Sequence, residues 1–219
     1  MHLGDYYDHR KFVNFKALNQ NRRVFLEPLR KKNMVMDIIP GNHDTYYKNT
    51  NELNSLKECL GHYMNEIHIV MEPTVMQYGS LSMGLLPWIC ADNYDQSMNF
   101  IRDCKADWLG SHLELANFEI GRGIMAHDGM DPKLFEKFEQ VLSGHYHTSS
   151  KKDNIWYLGS PMEFFWSDAH DTKYFHILDT ETRQIEKIQN TYTLFEKIVY
   201  NDKEISYNNY NKNLSKKFV

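Results

Sequence analysis

The strongest constraint on this chain is a set of four short loops, rich in Asp, Asn or His, each following a strand-like run and containing glycine. Gly4-Asp5-Tyr6-Tyr7-Asp8 follows Met1-His2-Leu3, and Gly41-Asn42-His43-Asp44 follows the apolar run 34–39. His112 stands in Gly110-Ser111-His112-Leu113-Glu114 after the run 106–110, and Gly144-His145-Tyr146-His147 follows Val141-Leu142. In open α/β sheets the ligand crevice lies beyond the carboxyl ends of the strands, so the pattern predicts four loops that meet there. Glycine beside each polar residue lets the backbone turn sharply and approach closely.

The segments between these loops read as alternating helices and strands, which argues for an α/β domain with a mixed sheet or sandwich. A helical spacing of Phe12, Phe15, Leu18, Val24, Phe25 and Leu29 covers residues 11–33, with Pro28 set to end or kink it. Further helices are expected over 51–64, 93–104 and 131–140, the last opened by Asp131-Pro132. Strands are expected over 67–70, 74–78, 81–86, 155–158, 174–178 and 184–188. The domain is read as residues 1–190. The polar stretch 191–219 reads as a linker or the start of a small capping or DNA-binding domain.

An Asp, an Asn and three His suit borderline divalent metals such as manganese, iron or zinc better than a calcium or magnesium cage. In His145-x-His147, extended backbone would put both rings on one side, within reach of two neighbouring metals. Taken singly, each loop has a plainer reading. Gly-Asp is usually a turn, G-N-H-D can be an Asx-turn, and G-H-x-H can be a surface loop. Their joint appearance, in order and at strand ends, favours a shared site.

The ordered set G-D-x-x-D, G-N-H-D, a single His and G-H-x-H resembles the calcineurin-like metallophosphoesterase superfamily. Within it the chain is similar to the SbcD-like exonucleases and the recombination nucleases of tailed phages. Leu86-Pro87-Trp88-Ile89-Cys90, Ser111-His112-Leu113-Glu114 and Tyr157-Leu158-Gly159-Ser160-Pro161 carry the narrower likeness, which spans roughly residues 1–200. The resemblance implies a two-sheet sandwich flanked by helices and two divalent ions, manganese by preference. Asp5 would bridge the ions, Asn42, His112 and His145 would complete the second, and His147 would belong to the first. His43 would be the general acid or a phosphate contact, with Asp44 orienting it through a hydrogen bond. The implied reaction is phosphodiester hydrolysis of DNA in recombination and double-strand-break repair. The implied partners are a coiled-coil SMC-like ATPase subunit and a second copy of the chain.

One departure from the family pattern is expected to matter. That pattern opens with Asp-x-His at the end of a first strand lying ahead of the G-D motif, whereas this sequence opens at Met1, just before Gly4. The first strand is therefore expected to be lacking, leaving the first metal with Asp5 and His147. Asp168-Ala169-His170 has the right letters but follows the G-S-P turn, and reads as surface.

The formal net charge of -4 gives no global support for nucleic-acid binding, so any DNA contact must be local. Residues 10–33 supply such a patch, with Arg10, Lys11, Arg22 and Arg23 as candidate phosphate contacts and Glu27 as the lone acid. A solvated helix face explains the same charges. His9, His62, His68 and His176 have no partner at ligand spacing and read as structural, and His127, close to the third loop, reads as a loop residue. Cys59, Cys90 and Cys104 show no paired spacing and suggest reduced, buried thiols in a cytoplasmic setting, the host's if the chain is phage-encoded. No apolar run is long enough for a membrane span. Two other functions fit the same residues: a general phosphoesterase acting on a small phosphodiester or phosphoprotein, and a catalytically incomplete fragment that keeps partner or DNA binding.

Overall fold

The computed structural model describes residues 1–121, 123–197 and 203. The chain opens with an extended segment in which His2 pairs in parallel with Ile38. The His2 amide donates to Asp37 O (2.8 Å) and His2 O accepts from the Ile39 amide (3.2 Å). A helical stretch follows, α1 (Phe15–Asn21) and α2 (Glu27–Lys31), joined by a wide turn over Arg22–Leu26. In that turn the Glu27 amide reaches back five residues to Arg22 O. Pro28 was expected to end or kink this stretch. The wide turn instead absorbs its missing N–H and the ring clash just ahead of it, so helix continues to Lys31.

Next come β1 (Met36–Ile38), α3 (Ser55–Leu60) and β2 (Ile67–Ile69), with β1 and β2 parallel and Ile38 opposite Ile69. Six strands then build the main sheet. They are β3 (Thr74–Tyr78) and β4 (Leu81–Leu86), then β5 (Trp108–Ser111) after α4 (Tyr94–Asp103). A small hairpin, β6 (Glu119–Gly121) and β7 (Ile124–Met125), precedes β8 (Gln140–Ser143), β9 (Ser150–Lys152) and β10 (Ile155–Tyr157). The order across the sheet is β3-β4-β5-β8-β10-β9, parallel in the centre and antiparallel at both edges. A last hairpin pairs β11 (Lys173–Leu178) with β12 (Ile185–Asn190).

The central strands are apolar on both sides because both faces of this sheet are covered. Met83 and Leu85 of β4, Trp108 of β5, Leu142 of β8 and Trp156 of β10 share one face and pack with Leu3, Ile39 and Val70. On the opposite face Leu109, Val141, Ile155 and Tyr157 pack with Ile101 of α4 and with Phe135 and Phe138. A third cluster seats Leu26, Leu29, Leu56 and Leu60 on Met36, Ile38 and Ile67. The fold is thus α/β with a mixed six-stranded sheet.

Helices are fewer and shorter than the sequence suggests. The expected helix over 131–140 is a single tight turn, Pro132–Phe135, because Asn154 Nδ2 donates to both Phe135 O (2.9 Å) and Phe138 O (2.7 Å). Those carbonyls are satisfied without another helical turn, and the chain drops directly into β8. Cys90 and Cys104 are buried as expected, but Cys59 is half-buried. The stretch 191–219 lies mostly outside the described residues. Within it the amides of Leu194 and Phe195 bond to Glu163 Oε2, which ties residues 194–195 to the domain. No helix among the described residues is long and apolar enough to cross a membrane.

Leu109 is wholly buried at the centre of the main sheet. Leu109→Ala should lower the unfolding free energy by about 2–5 kcal/mol, read as a lower urea midpoint at unchanged slope. A loss below about 1 kcal/mol would mean that this face is not core.

Candidate metal centre

The four polar loops do meet, at the carboxyl ends of the parallel strands. The loop after Leu3 is held against the loop after β1 by Asp44, which is completely buried. Asp44 Oδ2 accepts from the amides of Asp5 (2.7 Å) and Gly41 (2.9 Å), and Oδ1 from those of Tyr6 (3.0 Å) and Tyr7 (3.2 Å). Burial pushes its carboxyl up to about 6, against the pull of these amides. The approach is so close that a Cβ on Gly4 would lie 2.5 Å from His112 Nδ1 and 2.7 Å from Gly41 Cα. Asp5 itself takes a positive φ of 55° and His145 one of 82°, conformations that non-glycine residues hold only where their surroundings fix them.

Asp5, His112 and His145 form a group whose potential ligand atoms lie within 4.8 Å of one another. His112 Nε2 is 3.1 Å from Asp5 Oδ2 and 3.0 Å from Asn42 Oδ1, and His145 Nδ1 is 3.0 Å from the same Asn42 oxygen. His112 Nδ1 faces Leu3 O at 2.7 Å, and this carbonyl can only accept, so that nitrogen carries a proton. In neutral imidazole Nε2 then presents a lone pair toward two oxygens that are themselves acceptors. Positive charge at that point, a second proton on the ring or a bound cation, satisfies both oxygens.

The protonation behaviour agrees. Burial alone would lower the His112 pKa, but its hydrogen bond to Asp5 and the charge of that carboxylate raise it. Burial would raise Asp5, yet the His112 contact and the His43 amide bring it down to about 2. His145, buried and beside His112, is pushed down to about 3 and stays neutral. An ordered set of one carboxylate, one amide oxygen and two imidazoles suits a borderline divalent cation. Trp88 closes this side, its ring centroid 5.9 Å from that of His112 and 5.5 Å from that of His145.

Other predicted residues lie outside this group. His147, which the resemblance assigns to the first ion and not to the second, is not part of it. Backbone at His145 is left-handed and not extended as expected, and His147 Nδ1 lies 3.5 Å from Asp168 Oδ2 with its ring stacked on Phe165. Asp168 was expected on the surface and is buried. It accepts from the amides of Phe164 (2.8 Å) and Phe165 (3.0 Å) and pairs with Lys173 Nζ at 3.2 Å. Burial would raise its carboxyl, but His147, these amides and Lys173 hold it well below the usual carboxylate range. Ala169 is buried with it, and His170 is exposed.

His43 stands at the mouth of the site, its amide donating to Asp5 Oδ1 (2.7 Å) and its Nδ1 2.6 Å from Asp8 O. Asp44 was expected to orient this ring. It points inward onto backbone amides, and the Asp8 carbonyl holds the ring instead. Sequence reasoning had no signal for the roles of the Leu3 and Asp8 carbonyls, which are backbone atoms. Arg10 is half-buried with its guanidinium 3.4 Å from Thr45 O, whereas Lys11, Arg22 and Arg23 are exposed, Arg22 lying 3.7 Å from Glu27.

Over 197 residues the chain is 32% identical to exonuclease subunit 1 of Enterobacteria phage T4. The match takes in 90% of this chain and 57% of that protein, so the chain spans little more than half the length of this relative. No protein-family model matches the sequence.

Asp44→Ala leaves four amides without their acceptor and should cost about 3 kcal/mol or more of stability. Ser55→Ala, which removes a hydroxyl 3.4 Å from the same carboxylate, should cost under about 1 kcal/mol. Denaturant melts of the two variants compare these directly, and equal losses would remove Asp44 from its place as the tie between the loops.

Proposed function

We propose that this chain is a metal-dependent nuclease, hydrolysing DNA phosphodiesters as the catalytic part of a phage recombination and repair assembly. The observation that carries this reading is the convergence of Asp5, Asn42, His112 and His145 on one point that calls for a cation. The likeness to a phage protein named as an exonuclease subunit supports both the reaction and the setting. Manganese suits the mixed oxygen and nitrogen donors, and a metallophosphoesterase sandwich is the fold we assign to the packed sheets.

A divalent ion bound here would supply Lewis-acid stabilisation of charge on the attacked phosphate. The chain's own residues do the rest. Leu3 O fixes the His112 tautomer, so that Nε2 would be the nitrogen offered to such an ion. Asp44 keeps the first two loops in register. The Asp8 carbonyl anchors His43 through its Nδ1 proton, leaving Nε2, when the ring is doubly protonated, to donate to the phosphate or to protonate the leaving oxygen. His147 would contribute to a second ion after turning from Asp168. Exposed Lys11, Arg22 and Arg23, with Arg10, would steer the DNA backbone.

Partners follow the same proposal: DNA, a coiled-coil SMC-like ATPase subunit, and a second copy of this chain. For the last, α1 buries none of its residues, and its first residue, Phe15, is 88% exposed, with Phe12 at 67% and Val24 at 74%. Exposed apolar side chains of this kind are suited to a partner surface.

His43→Ala should abolish most manganese-dependent cleavage of linear duplex DNA while leaving metal content nearly unchanged. His145→Ala should lose both, with metal affinity falling by more than the roughly 10–100-fold typical of losing an outer hydrogen-bond partner. Elemental analysis and a cleavage assay on both variants decide the matter. Metal lost from His43→Ala would overturn its role as a non-ligand, and cleavage that persists in chelator would overturn the proposal.

A further inference from the structure

Beside the candidate metal centre lies a cavity of about 350 Å³, walled by Trp88, Ile89, Tyr94 and Met130, with Glu114 and His112 also lining it. His112 belongs to both places, so an occupant of the cavity sits next to whatever the metal centre holds. The walls are preformed. The Trp88 amide donates to Pro40 O (2.9 Å), and Trp88 O accepts from Asn51 Nδ2 (2.7 Å) and Asn93 Nδ2 (3.0 Å). Asn93 Oδ1 in turn accepts from the Cys90 amide at 2.8 Å. Tyr94, the first residue of α4, is half-exposed at 51%.

The charges lining the cavity set its orientation. It carries one carboxylate, Glu114, and neither lysine nor arginine. Such a cavity disfavours phosphate and accepts a flat, neutral, partly polar group, for which the Glu114 carboxylate offers an acceptor to an exocyclic amine. A group of that shape joined to a phosphate that reaches the metal centre is a nucleotide.

We propose that this cavity takes the nucleobase next to the phosphate being cleaved, out of its stack and against the Trp88 and Tyr94 rings, so that the enzyme acts on unpaired or frayed strands. The inference rests on the proposed phosphodiesterase reading and specifies its substrate. Aromatic side chains hold bases of any sequence in this way, because every base has a π-face. Strand ends and single strands then surrender their bases more readily than interior duplex.

The test is calorimetric titration of the chain, with manganese present, by deoxyadenosine 5′-monophosphate and by 2-deoxyribose 5-phosphate. The nucleotide should bind about 10-fold more tightly. Tyr94→Ala should bring the two affinities to within about threefold, and Tyr94→Phe, which keeps the ring, should restore the gap. The fluorescence of 2-aminopurine deoxynucleoside monophosphate should be quenched on binding. A sugar phosphate that binds as tightly as the nucleotide would overturn the base site and leave the phosphate site standing. A full gap retained in Tyr94→Ala would place the base elsewhere and overturn the assignment. Failure of both ligands to bind would remove this inference together with the reading beneath it.

Discussion

The buried carboxylate of Asp44 gathers amides from Asp5, Tyr6, Tyr7 and Gly41 around a single pair of oxygens. Two loops far apart in sequence are thereby fixed edge to edge, and the left-handed backbone at Asp5 becomes tenable. Unpaired buried amides are costly, so this arrangement holds as one unit and not as four independent bonds. The placement of Asp5 Oδ2 near His112, and of the His43 amide on Asp5 Oδ1, follows from that tie.

The sheet supplies the other half of the geometry. Parallel pairing of β4, β5, β8 and β10 sends successive carboxyl ends in one direction, and covering both faces fixes the register that a one-residue slip would destroy. Ser111 Oγ donates to Leu86 O (2.8 Å), and the Leu113 amide donates to Ser143 Oγ (3.0 Å), which stitches the ends of β4, β5 and β8 together. His112 emerges between these stitches, buried, with one nitrogen committed to Leu3 O. Its freedom is almost nil, and the donors arranged around it inherit that rigidity.

Much of this was legible in the sequence because the signals were local. The runs 74–78 and 81–86 appear as β3 and β4, the helix expected over 93–104 as α4, and the loops bearing Asp5, Asn42, His112 and His145 do converge. What the sequence hid was decided by distant partners. Asn154 replaces a predicted helix with one turn, by satisfying carbonyls that a helix would otherwise have satisfied. Asp168, read as surface, is drawn inward by Lys173 and two amides. The left-handed backbone at His145 is a positive φ, which no side-chain pattern announces. Ser150–Lys152 pairs with β10 although it has no apolar alternation of its own.

The sequence separation of the cluster's members has a consequence for how the molecule assembles. Asn42 is 70 residues from His112 and 103 from His145. Contacts of such range close only after large loops have been ordered, and parallel pairing is slow for the same reason. The centre therefore exists only where those loops and the parallel strands are already ordered. A cation that binds there acts on the finished domain alone. By mass action it would stabilise the whole domain against global unfolding, while local openings that leave the cluster intact would go unchanged.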